Sequence, residues 1–124
     1  MYVRTKIIKD ITFIYPHVRN LDSTVAFDFA KQLKEIIQTG RTRKFIINLK
    51  YVQLIDSSGF GSLVISRKVV SDRGEVVLVN SNGHIDHLFK VMQFNKMFDI
   101  FPTERAAFDH LVKINEVEML TIKK

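Results

Sequence analysis

The stretch of sequence that decides the fold is Asn48-Leu49-Lys50-Tyr51-Val52-Gln53-Leu54-Ile55-Asp56-Ser57-Ser58-Gly59-Phe60-Gly61-Ser62-Leu63. An apolar run, Phe45-Ile46-Ile47-Asn48-Leu49, leads into it and is typical of a strand buried on both faces of a sheet. The stretch ends inside a segment from Gly59 to Ser71 that we interpret as a helix, closed by Asp72-Arg73-Gly74. A small polar cluster therefore stands between a buried strand and the start of a helix.

That cluster, Asp56-Ser57-Ser58, has two physical interpretations. The unpaired N–H groups of a helix start can hold an anion such as phosphate, and Gly59 and Gly61 would keep the first turn narrow, so that another protein can reach the serine hydroxyls. Alternatively, Asp56 and Ser57 cap the helix and the glycines allow close packing. The residues alone leave both interpretations open.

The chain before this stretch predicts a hairpin and a helix. Val3–Ile8 and Ile11–Tyr15 are rich in β-branched and aromatic residues and flank a tight turn at Lys9-Asp10. A helix is predicted over about Ser23–Gln38, with Ser23 or Thr24 as its N-cap. Its apolar face is formed by Ala26, Phe29, Ala30, Leu33, Ile36 and Ile37.

The chain after this stretch continues the same alternation. Glu75–Val79 predicts a buried strand, followed by a turn at Asn80-Ser81-Asn82-Gly83 and a short helix. Phe98–Phe101 predicts a brief strand that Pro102 stops, and Thr103 would cap a final helix. The short helix is marked by Ile85, Leu88, Phe89 and Met92, and the final one by Ala107, Phe108, Leu111, Val112 and Ile114.

This order of elements predicts one α/β domain over residues 1–124. One hairpin followed by alternating strands and helices implies a mostly parallel sheet with right-handed crossovers and helices packed against it. A chain of 124 residues without a visible linker or repeat is the size of one ordinary domain.

Composition excludes some chemistry and sets expectations for location and partners. There is no cysteine, so disulfides and thiolate sites are excluded, and no run approaches the roughly 18 apolar residues that a membrane span needs. The N-terminus lacks the apolar core of a signal peptide, so we expect a cytoplasmic protein without membrane insertion. The net charge of +6 is scattered apart from Arg41-Thr42-Arg43-Lys44, so we expect no direct contact with nucleic acid.

Enzymatic and metal-binding interpretations find little support in the sequence. Neither Ser57 nor Ser58 lies in a Gly-x-Ser-x-Gly elbow with an evident histidine base, so we expect no catalytic residue. His84 and His87, with Asp86 between them, lack an evident further metal ligand. The remaining histidines are His17 and His110.

The central motif, Asp56-Ser57-Ser58-Gly59-Phe60-Gly61, resembles the signature of the STAS family, the anti-sigma factor antagonists. In that family the motif reads Asp-Ser-Ser-Gly-Leu-Gly at the start of a helix, so Phe60 is a mild apolar replacement. Leu21-Asp22 is similar to the family's Leu-Asp pair between the hairpin and the first helix. The order of elements is similar over a core of about residues 3–115.

The resemblance implies a protein-binding switch rather than an enzyme. The phosphorylation site of the family corresponds to Ser57, and the implied partners are an anti-sigma factor with serine-kinase activity and a PP2C-type phosphatase. ATP and magnesium would belong to the kinase, so the chain itself is expected to need no cofactor and no metal. Some family members are instead constitutive subunits of transport or signalling complexes, which is the alternative function.

The expected partner-binding surface follows from the same resemblance and from electrostatics. A phosphate on Ser57 would add about −1.5 to −2 charges beside Asp56 and Asp22 and would disrupt a partner surface made for a neutral hydroxyl. Asn48 stands where family members often have aspartate, which we expect to remove a negative charge near the site. Arg19-Asn20 replaces a familiar glycine before the Leu-Asp pair. The predicted partner-binding residues are Asp22, Asp56, Ser57, Ser58, Gly59, Phe60 and Gly61.

Overall fold

A computed structural model of the chain describes residues 1–80 and 82–123, and the side chains of 1–80 and 82–113. Within these residues the strands are β1 (Tyr2–Ile8), β2 (Ile11–His17), β3 (Asn20–Leu21), β4 (Lys44–Asn48), β5 (Leu54–Ile55), β6 (Glu75–Val79) and β7 (Ile100–Phe101). The α-helices are α1 (Ala26–Thr39), α2 (Ser57–Val70), α3 (Gly83–Val91) and α4 (Glu104–Lys123). Single 3₁₀ turns follow α2 at Ser71–Arg73 and α3 at Phe94–Lys96.

The predicted opening hairpin is confirmed. Strands β1 and β2 pair antiparallel, with Ile8 opposite Ile11 at the turn end. Lys9 and Asp10 have φ angles of +49° and +64°, which is the backbone that a two-residue hairpin turn of type I′ requires. The turn twists in the same sense as the strands, so a two-residue connection suffices.

The predicted α/β fold with a mostly parallel sheet is also confirmed. Five strands form one sheet in the order β1-β2-β4-β6-β7, and every pairing after the hairpin is parallel. Strands β3 and β5 form a separate two-stranded parallel pair. Strand β4 occupies the centre of the larger sheet and is buried along its whole length, as the apolar run predicted.

Helices cover both faces of the sheet. On one face, apolar residues of α1, α2 and α3 pack on Phe45, Ile47 and Leu78 in one core cluster. On the other face, Ala107 and Leu111 of α4 pack with Ile46 and Val77 in a second cluster. Alternate residues of β4 therefore serve different cores, because side chains of a strand point to opposite faces in turn.

Helix boundaries differ from the predictions in informative ways. Helix α1 begins at Ala26 after Val25, which has no side-chain cap, so the prediction that Ser23 or Thr24 is the N-cap was wrong. Helix α2 begins at Ser57, two residues earlier than predicted. The predicted cap of α4 is confirmed, because the Ala106 N–H donates to Thr103 Oγ1 at 3.1 Å. Ser81 of the predicted turn and the Ile114 side chain lie outside the described residues.

Candidate functional site

The two-stranded pair β3–β5 brings the two conspicuous aspartates to one place. Leu21 lies opposite Ile55 in parallel register, and the Asp56 N–H donates to the Leu21 carbonyl at 3.3 Å. Asp22 and Asp56 therefore follow paired residues on adjacent strands and leave the pair at the same end. The resemblance predicted Asp22 as a neighbour of the serine cluster; the structure places Asp22 and Asp56 at the same end of the β3–β5 pair.

Gly59 is required for this arrangement. A Cβ at this position would lie 2.1 Å from the Leu21 carbonyl oxygen and 2.8 Å from Ile55 Cγ1. Atoms cannot approach so closely, so any side chain at position 59 would push α2 away from the β3–β5 pair. The close-packing interpretation therefore holds for Gly59.

Asp56 is the N-cap of α2. Its backbone is extended, with φ −113° and ψ −174°, and its Oδ1 accepts the Gly59 N–H at 3.0 Å. Its carbonyl accepts the Phe60 N–H, also at 3.0 Å, which closes the first turn. The capping interpretation is thus correct for Asp56, and the cap also fixes a negative charge beside the serines.

Ser57 and Ser58 occupy the first two positions of α2 and are exposed. Within the described part of the chain, neither hydroxyl makes a hydrogen bond to another group. Both hydroxyls are therefore free to be modified or to contact another protein, at a helix end whose dipole favours added negative charge.

Asp22 organises the turn that leads into α1. Its carboxylate accepts hydrogen bonds from the Thr24 hydroxyl and the Thr24 N–H, and its carbonyl accepts the Ala26 N–H at 2.9 Å. The hydrogen bond from the Thr24 hydroxyl is the main reason that the pKa of Asp22 is lowered. Asp22 thus organises the turn before α1 without capping the helix through its side chain, and it stays negatively charged at neutral pH.

Phe60 supports the site from within the core. Its ring is 4% exposed and makes edge contacts with Phe89 and Phe94 at centroid distances of 5.5 and 5.1 Å. The ring is too deeply buried to meet a partner directly, which corrects the expectation for Phe60, and Gly59 is buried in the same way. These two residues hold the start of α2 in place.

Gly61 differs from Gly59. A Cβ at position 61 would meet nothing within 4 Å, so the expectation that Gly61 keeps the first turn narrow is not supported. Gly61 is exposed and lines a groove between α1 and α2 that also reaches Ser58.

Asn48 belongs to a different part of the molecule from the serines. Its Nδ2 donates to Glu104 Oε2 at 2.8 Å, and its Oδ1 accepts the Lys50 N–H at 3.0 Å. Tyr15 also donates to Glu104 Oε2, at 2.7 Å. Because Glu104 begins α4, Asn48 faces the α4 side of the sheet, away from α2. The expectation that this position changes the charge at the site is therefore corrected.

His17 and His110 each lie against aromatic rings. His17 stacks between the rings of Tyr2 and Tyr51, at centroid distances of 4.8 and 4.2 Å. His110 lies 3.6 Å from a carboxylate oxygen of Asp99. Among the described residues, no group of three histidine, aspartate or glutamate side chains has a geometry that could hold a metal ion.

The basic loop and the serine cluster lie at opposite ends of the strands. Arg41–Lys44 joins α1 to the amino end of β4, whereas Ser57 follows the carboxyl end of that strand by way of β5. Among the described residues, no helix combines the length and the hydropathy that a membrane span requires.

The chain belongs to the STAS domain family, whose sequence model matches residues 2–107. STAS domains are in general binding domains without catalytic activity. The match spans the hairpin, the whole sheet and the start of α4.

Solved structures show the same fold. An anti-sigma factor antagonist from Mycobacterium paratuberculosis has a TM-score of 0.80 at 13% identity, over 89% of this chain and 92% of that chain. The unphosphorylated form of the Bacillus protein SpoIIAA, an anti-sigma factor antagonist, matches with a TM-score of 0.64 at 20% identity, over 88% of this chain and 96% of that chain. Its phosphorylated form matches with a TM-score of 0.62 at 19% identity, over 88% of this chain and 98% of that chain. A sulfate transporter family protein from Wolinella succinogenes matches with a TM-score of 0.73 at 16% identity, over 90% of this chain and 92% of that chain.

Proposed function

We propose that this chain is an anti-sigma factor antagonist that switches partners through phosphorylation of Ser57. Unphosphorylated, it binds an anti-sigma factor that is also a serine kinase; phosphorylated, it releases that protein, and a PP2C-type phosphatase resets it. The exchange regulates transcription and takes place in the cytoplasm, where the kinase finds its ATP. The observation that carries the proposal is the exposed, unpartnered Ser57 hydroxyl at the first position of α2, inside the STAS motif.

Local electrostatics explain how one phosphate can change binding without changing the fold. The partner would meet the small neutral hydroxyls of Ser57 and Ser58 next to Asp56, at the end of the β3–β5 pair that Asp22 also follows. A phosphate on Ser57 adds about −1.5 to −2 charges at this point, while the helix N-terminus stabilises part of that charge. The partner surface becomes repulsive, and the domain itself stays folded.

The proposal assigns different tasks to the predicted site residues. Asp22, Asp56, Ser57, Ser58 and Gly61 form the surface that meets the partner, since all of them are at least partly exposed. Gly59 and Phe60 fix the position of the helix start from below.

A second candidate function is a constitutive STAS subunit of a transport or signalling complex. The similarity in fold to a sulfate transporter family protein favours it. In that case Ser57 would never be phosphorylated and the same surface would be a permanent contact.

Affinity capture from native cytoplasm separates the two functions. Wild type, Ser57→Ala and Ser57→Asp are used as bait, with Ser58→Ala as the matched control at the neighbouring exposed hydroxyl, and retained proteins are identified by mass spectrometry. We expect a kinase-like protein on wild type, Ser57→Ala and Ser58→Ala that is absent from Ser57→Asp. Partners that bind all four baits equally would contradict the switch and support the constitutive subunit.

A further inference from the structure

A groove between α1 and α2 runs alongside the serine cluster. It encloses about 550 Å³ and is lined mainly by carbon atoms. We call it the α1–α2 groove; the lining residues used below are Phe27, Ala30, Lys31 and Lys34 of α1 and Ser58, Gly61 and Ile65 of α2.

Phe27 is the most exposed large apolar side chain among the described residues. It is 85% exposed, whereas Ala26 and Phe29, on the core-facing side of the same helix, are buried. Leaving such a ring in water forgoes the favourable free energy of burying it. An aromatic ring in this position beside an apolar groove is typical of a protein-binding anchor.

Small residues of both helices line the groove. Ala30 of α1 and Gly61 of α2 are among them, and a Cβ at Gly61 would meet no atom within 4 Å. Ser58, Gly61 and Ile65 are spaced by three and four residues, so they share one face of α2. A third helix can therefore approach closely and lay an apolar face between α1 and α2, which is a recurrent mode of peptide recognition.

The rim of the groove is positively charged. Lys31 and Lys34 lie along it, and neither ammonium forms an ion pair with another described residue. A second copy of this chain is a poor occupant, because a symmetric contact would bring the same lysines together and each chain has a net charge of +6. The charge instead favours a segment with acidic residues beside its apolar face.

We propose that the α1–α2 groove binds an amphipathic, acidic helix of the kinase partner, with its apolar face on Phe27 and its acidic residues toward Lys31 and Lys34. The inference rests on the proposed function and adds the partner's chemistry. It also explains release: Ser58 lines the groove and Ser57 precedes it, so a phosphate there repels the acidic helix at the mouth of its binding site.

Binding measurements on surface variants test this. The purified kinase identified by affinity capture is titrated calorimetrically with Phe27→Ala and Lys34→Glu. Val91→Ala is the matched control for Phe27→Ala, because Val91 is an apolar residue on α3 that is 66% exposed. Lys113→Glu is the matched control for Lys34→Glu, because Lys113 is exposed on α4, which covers the opposite face of the sheet. We expect each groove variant to bind about tenfold more weakly or worse, and each control to bind within about twofold of wild type. Circular dichroism should show an unchanged fold for all four.

Cross-linking identifies the occupant directly. A photo-reactive phenylalanine analogue replaces Phe27, the complex with the kinase is irradiated, and the attached peptide is sequenced by mass spectrometry. We expect a kinase segment with apolar residues at helical spacing flanked by aspartate or glutamate. A basic segment, or a second copy of this chain, would overturn the inference.

The outcomes distinguish this inference from the switch. If the kinase binds wild type and is lost by Ser57→Asp, but binds Phe27→Ala and Lys34→Glu normally, the groove assignment fails and the switch stands. If the kinase binds no variant, including wild type, both fail together.

Discussion

Glu104 is a half-buried carboxylate that holds three parts of the fold together. Burial raises its pKa, but the hydrogen bonds from Tyr15 and Asn48 and the nearby Lys6 and Lys50 ammonium groups outweigh burial, so the net pKa is lowered. A glutamate in an unfolded chain has a pKa near 4.3. Because folding lowers the pKa of Glu104, its charged form stabilises the fold at pH values above the unfolded pKa. This stabilisation is lost as the pH falls through the pKa of the folded state. Asn48 is suited to this position because its amide donates to an anion.

Asn48→Asp therefore should destabilise the protein. The change would replace a donor 2.8 Å from Glu104 by a second carboxylate, so we expect a loss of about 2–3 kcal/mol of unfolding free energy at pH 7. Chemical denaturation at pH 7 and at pH 4 measures it, and the loss should shrink at pH 4 as a carboxyl group takes up a proton. The double variant Asn48→Asp/Glu104→Gln should recover most of the stability; equal stability of the single variant and wild type at pH 7 would contradict this account.

For single residues, the sequence predicts roles that depend on neighbours in the chain and misses contacts between residues far apart in the chain. A few adjacent residues are enough to predict that Asp56 caps the helix and that the Ser57 hydroxyl is exposed. The partner of Asn48 is 56 positions away and depends on how α4 crosses the sheet, so no local pattern reveals it. Phe27 carried a usable signal, because it falls outside the apolar face predicted for its helix, and an unburied phenylalanine invites a search for a partner.

Among the elements, the start of α2 decides the geometry of the site. Gly59 and Gly61 are two residues apart on this helix and look equivalent in sequence, but only Gly59 touches the β3–β5 pair. The difference could not be predicted, because β3 and β5 contain two residues each and show no periodicity. Longer elements such as β4, β6 and α1 were predicted within a few residues, since their apolar patterns extend over several positions.

Replacing Gly59 or Gly61 by alanine should therefore change the free energy of unfolding in opposite directions. Gly59→Ala places a methyl group where the Leu21 carbonyl oxygen stands, and we expect a loss of about 3 kcal/mol. Gly61→Ala removes a helix-destabilising glycine without a clash, and we expect a gain of about 0.5–1 kcal/mol. Urea denaturation measures both. A stabilised Gly59→Ala, or a Gly61→Ala as unstable as Gly59→Ala, would show that the packing at this helix start is described wrongly.

Across the whole molecule, the serine cluster and the basic loop lie at opposite ends of the strands. The serines follow the carboxyl ends of the strands and Arg41–Lys44 lies at the amino ends, so under the proposed switch a phosphate on Ser57 would change the charge at the serine cluster and leave the distant charges unchanged. The alternation of strands and helices predicted this architecture, because parallel strands need crossover connections and bring their carboxyl ends to one edge.

Phosphorylation of Ser57 should accordingly leave the domain folded. The exposed position at a helix N-terminus offsets repulsion from Asp56, so we expect the free energy of unfolding to change by less than about 1 kcal/mol. Denaturation of the chain with and without phosphoserine at position 57 measures this. A large loss of stability would mean that release follows from unfolding rather than from local repulsion.

The most direct test of the switch is a calorimetric titration of the purified kinase with the chain carrying phosphoserine at position 57 and with the unmodified chain. We predict that the unmodified chain binds and that the phosphorylated chain binds about tenfold more weakly or not at all, a difference of at least about 1.4 kcal/mol. Equal affinity of the two forms would contradict the proposal that Ser57 controls partner binding.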